Sequence, residues 1–182
     1  KVGTGELILS GANTFQGGTT LNAGTLTLGN AAALGTGALT VTGAGTLQSN
    51  AALTTSNAIT LNANLTVGGV NPLTLGGVVS GGSGLIKTGA SSLALTGNNT
   101  YTGTTALNAG SLVVGSNTAL GTSVLNATAG TTLDASAAVS LGNNLNLAGD
   151  LTLGGSNALT LGGVVAGVGG FIKNGPADLI LN

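Results

Sequence analysis

The chain contains an internal repeat of 86 residues, and this repeat limits the folds open to it more than any other feature. Residues 1–86 align with residues 87–172 without a gap, and 42 of the 86 positions are identical. Residues 173–182 begin a third copy. Self-similarity at a long fixed period is typical of solenoids and other repeat architectures. We therefore interpret residues 1–182 as a single repetitive segment and predict that it is a piece of a longer array.

Short segments within each copy alternate apolar residues with threonine. Examples are found at residues 26–28, 39–41, 59–61, 65–67 and 73–75. A period of two predicts β-strands whose apolar side chains face inward and whose threonines face outward. Gly, Asn and Ser separate these segments, as expected for turns, and no segment shows the 3.6-residue apolar period of a helix. The chain is therefore predicted to be all-β.

Many short strands are compatible with a sandwich, a barrel or a solenoid, and the long gap-free period favours the solenoid. A β-helix coil of about 20 residues rises by about 4.8 Å, so one repeat would form about four coils and rise by about 19 Å. In a solenoid each coil rests only on its neighbours. Stacked leucines would fill the interior, which suits a chain with 35 glycines and only three aromatic residues.

The composition excludes several classes of partner. Charged residues make up 4% of the chain, the formal net charge is −1, and there is no arginine and no cysteine. The chain therefore has no electrostatic reason to bind nucleic acid and no means to form disulfides or thiolate metal sites. Its longest apolar stretches, at residues 31–35 and 167–172, are too short to span a bilayer. We predict no nucleic-acid partner and no direct membrane insertion.

One longer motif occurs in both copies. It reads GELILSGANTFQGGTTLNAGTLTLG at residues 5–29 and SSLALTGNNTYTGTTALNAGSLVVG at residues 91–115. This pattern resembles the autotransporter-associated β-strand repeat, also called the passenger-associated transport repeat, of bacterial surface proteins. Ser91 replaces the first glycine of the motif, and residues 176–182 are predicted to begin a third motif.

The resemblance implies a right-handed parallel β-helix, because that is the fold of the passenger region in such proteins. It also implies export to the surface of a Gram-negative-type bacterium, or secretion from it. The family repeat is a stalk element, so the resemblance gives no activity for a tip. The handedness of the predicted solenoid rests on this resemblance alone.

The acidic residues are too few and too scattered to predict catalysis. Glu6, Asp134, Asp150 and Asp178 are the whole supply, and there is no histidine. Two opposed carboxylates would be the minimum for glycoside hydrolysis. Asp134 and Asp150 are separated by a little less than one expected coil, so adjacent coils could bring them near each other, but we interpret them as solvated turn residues. The protein is predicted not to be an enzyme and to have no catalytic residues.

The lysines are predicted to be exposed. Lys1, Lys87 and Lys173 are the only ones, and they stand 86 residues apart. Residues 81–88 (GGSGLIKT) are similar to a phosphate-binding loop, but Ile86 stands where that loop needs glycine and no helix is expected to follow. We therefore interpret the lysines as surface residues at the repeat boundary that add solubility and oppose aggregation. No cofactor site is predicted.

The remaining candidate ligand sites are equally weak. No complete calcium-roll signature occurs, so no metal site is predicted. Phe15 and Tyr101 share a repeat phase and are interpreted as packing over a turn rather than stacking on sugars, and Phe171 as a core residue.

The Asn-x-Thr triplets, at Asn64, Asn98 and Asn126, give no inference of glycosylation. An ice-binding face is disfavoured because its candidate threonine rows are not kept in the second copy; these rows are Thr25 with Thr27 and Thr40 with Thr42.

The function that the sequence favours is therefore structural. We predict a β-solenoid stalk or fibre segment of a cell-surface or secreted autotransporter-like protein. Its partners would be further repeats of the same chain, or other copies of it, stacked end to end through open strand edges. The alternative is an adhesin-type binding module that uses one solenoid face to bind polysaccharide, another cell or ice.

Overall fold

The chain forms a three-sided β-solenoid. The computed structural model describes all residues from Lys1 to Asn182 and contains 23 short strands and no helix. Every strand pairs in parallel with a strand of a neighbouring coil. The predicted all-β class and parallel solenoid architecture are confirmed. No helix in the structure is long and apolar enough to cross a membrane.

Face 1 runs through the whole molecule as one ladder of nine strands, and these strands mark about nine coils. In chain order, they are β1 (Glu6–Leu9), β3 (Gly24–Leu28), β5 (Gly45–Ser49), β8 (Leu65–Val67), β11 (Leu85–Lys87), β13 (Thr105–Leu107), β15 (Leu125–Ala127), β18 (Leu145–Leu147) and β21 (Val165–Gly167).

Face 2 is a ladder of seven strands that begins two coils later than face 1. Its strands are β6 (Leu53–Thr55), β9 (Leu73–Leu75), β12 (Ser92–Leu95), β14 (Ser111–Val114), β16 (Thr131–Ala135), β19 (Leu151–Leu153) and β22 (Phe171–Lys173).

Face 3 is divided into an upper ladder of four strands and a lower ladder of three. The upper strands are β2 (Thr19–Leu21), β4 (Leu39–Val41), β7 (Ile59–Leu61) and β10 (Val79–Gly81). The lower strands are β17 (Val139–Leu141), β20 (Leu159–Leu161) and β23 (Leu179–Leu181). Two coils without strands separate the upper ladder from the lower one.

The register fixes the length of a coil. Leu65 pairs with Leu85, and Leu85 pairs with Thr105, so equivalent positions of successive coils are 20 residues apart. A coil that is one residue shorter and a coil that is one residue longer occur once in each copy. In the first copy these are the steps from Glu6 to Thr25 and from Thr25 to Thr46. The two deviations cancel, so the average length of a coil is unchanged.

The core is a narrow column of aliphatic side chains. Most strands place their first and third residues inside and their central residue outside. The inward positions join into one continuous cluster of 36 buried hydrophobic residues, most of them leucine. The predicted alternation is therefore confirmed, and the apolar-Thr-apolar segments correspond to strands of the solenoid.

The repeat and the coil have different periods, which the sequence analysis did not anticipate. Four coils are six residues shorter than one repeat, and six residues are about the length of one face. Strand β8 on face 1 therefore has its repeat counterpart, β19, on face 2, and β7 on face 3 has its counterpart, β18, on face 1. The second copy is rotated by one face relative to the first and lies about 21 Å further along the axis.

Candidate functional site

Each copy contains one place where the ladder of a face is replaced by loops. We call this the loop pair: residues 10–18 and 29–38 in the first copy, and residues 96–104 and 115–124 in the second. The second loop of each pair is closed by successive turn hydrogen bonds. In the second copy the Ala119, Gly121 and Ser123 N–H groups donate to Ser116 O, Thr118 O and Leu120 O at 3.1, 2.9 and 3.1 Å. Because the copies are rotated, the first loop pair interrupts face 2 and the second interrupts face 3. The loop pair is the main irregular feature of the surface.

Asparagine side chains replace the missing ladder at the loop pair. Asn99 is 2% exposed; its Oδ1 accepts from the Val79 N–H at 2.8 Å, and its Nδ2 donates to Ala119 O at 2.6 Å. One side chain thus joins three successive coils. Asn13, the counterpart of Asn99 in the first copy, makes the same downward bond to Ala33 O at 2.7 Å.

A second asparagine closes the loop pair from the following coil. The Asn143 Nδ2 donates to Gly121 O at 3.1 Å and to Ser123 O at 2.8 Å. In the first copy Asn57 makes the equivalent bonds to Gly35 O and Gly37 O. Sequence reasoning did not single out Asn57 or Asn143, although their shared repeat phase was a usable signal.

We expect Asn99→Ala to lower the free energy of unfolding by about 2 to 4 kcal/mol, because a buried N–H and a buried carbonyl both lose their partner. Guanidinium denaturation measures the loss, and hydrogen exchange should show earlier opening at the Val79 amide. The matched control is Asn98→Ala, the exposed neighbour, for which the change should stay within about 0.5 kcal/mol. Equal losses in the two variants would contradict the bridging role.

Of the two aromatic residues of the loop pairs, Tyr101 belongs to the buried core and Phe15 is partly exposed. Tyr101 is fully buried, and its hydroxyl lies 2.7 Å from Thr105 Oγ1, which lies 2.9 Å from Ser123 Oγ. Burial raises the pKa of Tyr101, and the hydrogen bonds from Thr105 and Ser123 oppose that rise. Phe15 is 41% exposed because no coil precedes it in the structure. The buried Tyr101 ring is therefore not available as a sugar platform.

The prediction of exposed lysines is wrong for Lys87, which is 1% exposed. Its Nζ donates to the carbonyl oxygens of Thr88, Gly89 and Ala109 at 2.6, 2.8 and 3.2 Å. Burial lowers its pKa. The aliphatic stem packs inward from β11, and the amine satisfies carbonyls at a corner where Gly89 has a positive φ.

Lys1 and Lys173 make the same type of contact at the two ends of the molecule. The Lys1 Nζ donates to Gly3 O at 2.6 Å and to Ala23 O at 2.9 Å, and the Lys173 Nζ to Gly175 O at 2.8 Å. They are more exposed than Lys87, since they lie in the first and last coils. The repeated lysine is therefore a structural carbonyl ligand rather than a solubility device.

The structure does not bring Asp134 and Asp150 together. Across the β16–β19 ladder, Asp134 lies opposite Gly154. Gly154 is four residues after Asp150, so the two aspartates are offset by about 13 Å along the strand direction. Asp134 also lies within β16 and not in a turn, which corrects that part of the interpretation. Burial alone would raise the pKa of Asp134, but hydrogen bonds from the Ser156 hydroxyl and from the Ser156 and Ala135 N–H groups lower it overall.

The other acidic residues are also separate. Asp150 Oδ1 accepts from the Gly170 N–H at 2.8 Å and Glu6 Oε1 from Gln48 Nε2 at 3.3 Å. Asp134 and Asp178 do line one cavity with Lys173, but its volume is about 10 Å³, enough for about one water molecule. No group of three or more His, Cys, Asp or Glu side chains is close enough to hold a metal ion.

The remaining sequence interpretations have mixed outcomes. Phe171 packs against the core cluster from a partly buried position, as predicted. Thr27, a member of one candidate ice-binding row, is only 4% exposed and accepts a hydrogen bond from Gln48 Nε2 at 3.0 Å. It is therefore not available at the surface as part of a regular threonine lattice.

A surface groove follows each loop pair at the same repeat phase. The groove of the second copy has a volume of about 390 Å³, and that of the first about 410 Å³. The second-copy groove is lined by Asn117, Thr118, Gly121, Thr122, Ser123, Val124, Gly142, Asn143 and Asn144. The first-copy groove is lined by Ala31, Ala32, Gly35, Thr36, Thr54, Ser56, Asn57 and Ala58. Polar side chains in the second copy replace alanines in the first.

The comparison with protein families matches the motif that carried the resemblance. The family model described as the passenger-associated-transport-repeat matches residues 1–28 and 85–114. The family resemblance of these two segments is thus confirmed, and both lie in the coils that hold the first half of each loop pair. No curated protein and no solved structure matched the chain.

Proposed function

We propose that this chain is a rigid stalk or fibre segment of an autotransporter-like protein, displayed on or secreted from a Gram-negative-type bacterium. The observation that carries the proposal is the uninterrupted face 1 ladder, whose nine strands join the first coil to the last. The match to a passenger-associated repeat supports the location outside the cell. The role of the segment is to extend and to space whatever the parent protein carries.

The geometry gives such a segment its stiffness. Each coil is hydrogen-bonded to the next on two or three faces, and the leucine column is continuous through all of them. Asparagine side chains maintain the coil-to-coil bonds where a ladder stops. Since each coil rests only on its neighbours, coils can fold one after another as the chain emerges.

The natural partner of such a segment is another coil of the same kind. The last coil leaves inward-facing apolar side chains exposed that an additional coil would cover, among them Val165 at 37% and Leu181 at 53%. The outer strand edges of β21, β22 and β23 are likewise unpaired. Further repeats, or a second copy stacked end to end, would satisfy both. The scattered carboxylates supply no catalytic pair, so we propose no enzymatic activity.

Length is the property that tests the proposal. Additional copies of residues 87–172 are inserted after Ile172, one to four at a time, and the particles are measured by cryo-electron microscopy. Each copy should lengthen the rod by about 21 Å at constant width. Particles whose long dimension does not increase with copy number, or which become wider, would refute the stalk. The same series displayed from the parent protein should move a terminal tag outward by the same step.

A further inference from the structure

We propose that the second-copy groove is a binding site for a neutral saccharide. This groove is the one lined by residues 117–124 and 142–144, and the inference goes beyond the stalk role. It has a volume of about 390 Å³ and is open to solvent on one side. None of its nine lining residues is charged, and only Val124 is hydrophobic. A charged ligand would find no counter-charge there, and a lipid or an apolar peptide would find too little apolar surface.

Two amide groups in the groove are held in a fixed orientation with their donors unused. Asn117 Oδ1 accepts from the Ser140 N–H at 2.9 Å, and Asn144 Oδ1 accepts from the Val164 N–H at 2.9 Å. Each backbone bond therefore fixes which end of the amide is the oxygen, and each Nδ2 keeps two N–H groups without a protein acceptor. Donors that are already oriented lose little conformational entropy when a ligand binds.

The rest of the groove completes a surface suited to hydroxyl groups. Thr122 is exposed and its hydroxyl makes no hydrogen bond within the protein, so it can donate or accept. Asn143 forms the floor and is held by its bonds to the two loop carbonyls. Val124 is 40% exposed and offers a small apolar patch for the C–H face of a sugar ring. Uncharged amides and hydroxyls beside one apolar patch match a neutral saccharide best.

The groove also has room for more than one sugar unit. A second depression of about 250 Å³ shares Asn117 and continues along face 3 past Ser140 and Thr160. Asn117 thus stands between the two depressions, where it can contact adjacent units of a chain. The ligand we infer is therefore a neutral oligosaccharide or polysaccharide.

The first copy provides a natural control within the same molecule. There, Ala31 and Ala58 occupy the positions of Asn117 and Asn144, so the groove has nearly the same volume but lacks both amides. The rotation between copies places the two grooves on different faces, about 21 Å apart along the axis. Binding at one groove therefore does not obstruct the other.

The test is a titration of the full chain followed by NMR spectroscopy, with maltohexaose, cellohexaose and chitohexaose as separate probes. At least one probe should shift the side-chain NH₂ signals of Asn117 and Asn144 and should bind with one site per chain. The double variant Asn117→Ala/Asn144→Ala should weaken binding by about tenfold or more. Both hydrogen bonds to these amide oxygens are exposed, so water can replace them at the Ser140 and Val164 N–H groups. The variant should therefore still unfold cooperatively with only a small decrease in Tm, which confirms that the fold is retained.

The reciprocal variant Ala31→Asn/Ala58→Asn should raise the stoichiometry from one site to two. The proposal would be overturned if none of the three probes shifted these signals at a concentration of about 10 mM, because any binding would then be too weak to be specific. Binding that is unchanged in the double variant would also overturn it, because the saccharide would then lie elsewhere. If a peptide displaced the bound probe from this groove, the groove would be assigned to a protein partner and the saccharide proposal would be overturned. None of these results affects the length series, so the stalk and the saccharide site fail or stand separately.

Discussion

Gly121→Ala should be among the most damaging single substitutions in this chain, with an expected loss of about 3 to 5 kcal/mol in the free energy of unfolding. Gly121 has a φ of +55° in the turn of the second loop pair, a region that L side chains rarely adopt. A Cβ at this position would also lie 2.2 Å from Tyr101 O in the preceding coil. That oxygen belongs to the backbone, so the two coils must separate to make room.

Two other glycines separate the cost of the positive φ from the cost of the close contact between coils. Gly130 has a φ of +76° but open space around the position of a Cβ, so Gly130→Ala should cost only about 1 to 2 kcal/mol. Gly142 has neither a positive φ nor a close neighbour, and Gly142→Ala should change stability by less than about 0.5 kcal/mol. Guanidinium denaturation measures all three variants.

Hydrogen exchange locates the damage. The Thr122 N–H donates to Tyr101 O at 3.2 Å, so its amide should exchange faster in Gly121→Ala than in either control. If Gly121→Ala and Gly130→Ala cost the same, the close approach of the two coils at the loop pair is not what requires glycine. The order expected from the structure is Gly121, then Gly130, then Gly142.

The strands could be predicted from the sequence because their cause is local. In segments such as Ile59–Leu61 and Leu65–Val67, alternation alone determines which side chains face the core. Neighbouring coils then add leucine to leucine at the same phase, which reinforces the local preference instead of competing with it. The family motif was recognisable for the same reason, since its apolar residues and glycines occupy fixed positions in the coil.

The rotation between copies could not be read from the repeat alone. The repeat period is compatible with four slightly long coils or with four coils and one additional face, and only the pairing of Leu65 with Leu85 decides between them. One consequence concerns the expected fibre pattern. A given face recurs only after three repeats, about 62 Å, although each repeat rises by about 21 Å.

The polar contacts between coils were missed because they depend on stacking. Asn99 and Asn143 resemble ordinary turn residues in the sequence, and their acceptors lie 20 or more residues away. Lys87 was assigned to the surface because a lone lysine is rarely fully buried. Its three acceptors are backbone carbonyls, which leave no trace in the sequence. The groove amides are invisible for the same reason, since Asn117 and Ser140 are 23 residues apart.

Lys87→Met should lower the free energy of unfolding by about 2 to 4 kcal/mol. Methionine fills nearly the same volume as the lysine stem, so the core beneath β11 should remain packed. The carbonyl oxygens of Thr88, Gly89 and Ala109 accept no backbone hydrogen bond, and they lose their only donor in the variant. The cost therefore comes from these three orphaned acceptors rather than from the lost charge.

The same substitution at Lys173 is the matched control. Lys173 occupies the same repeat phase but is exposed, and water can replace its Nζ at Asn174 O and Gly175 O. Lys173→Met should therefore change stability by less than about 1 kcal/mol. Equal losses at the two positions would mean that burial of the carbonyls is not the cause.

The pH dependence of stability tests whether the protonation of Lys87 differs between the folded and the unfolded chain. Because burial lowers the pKa of Lys87 below 10.5, the folded chain releases this proton at a lower pH than the unfolded chain does. The unfolded chain then holds more protons over the interval between the two values, so the stability of the wild type should rise with pH there. Lys87→Met should lack this rise while Lys173→Met keeps it. Parallel profiles for the wild type and Lys87→Met would contradict this expectation. They would mean that Lys87 has the same pKa in the folded and the unfolded chain, and that its ammonium group is in contact with water.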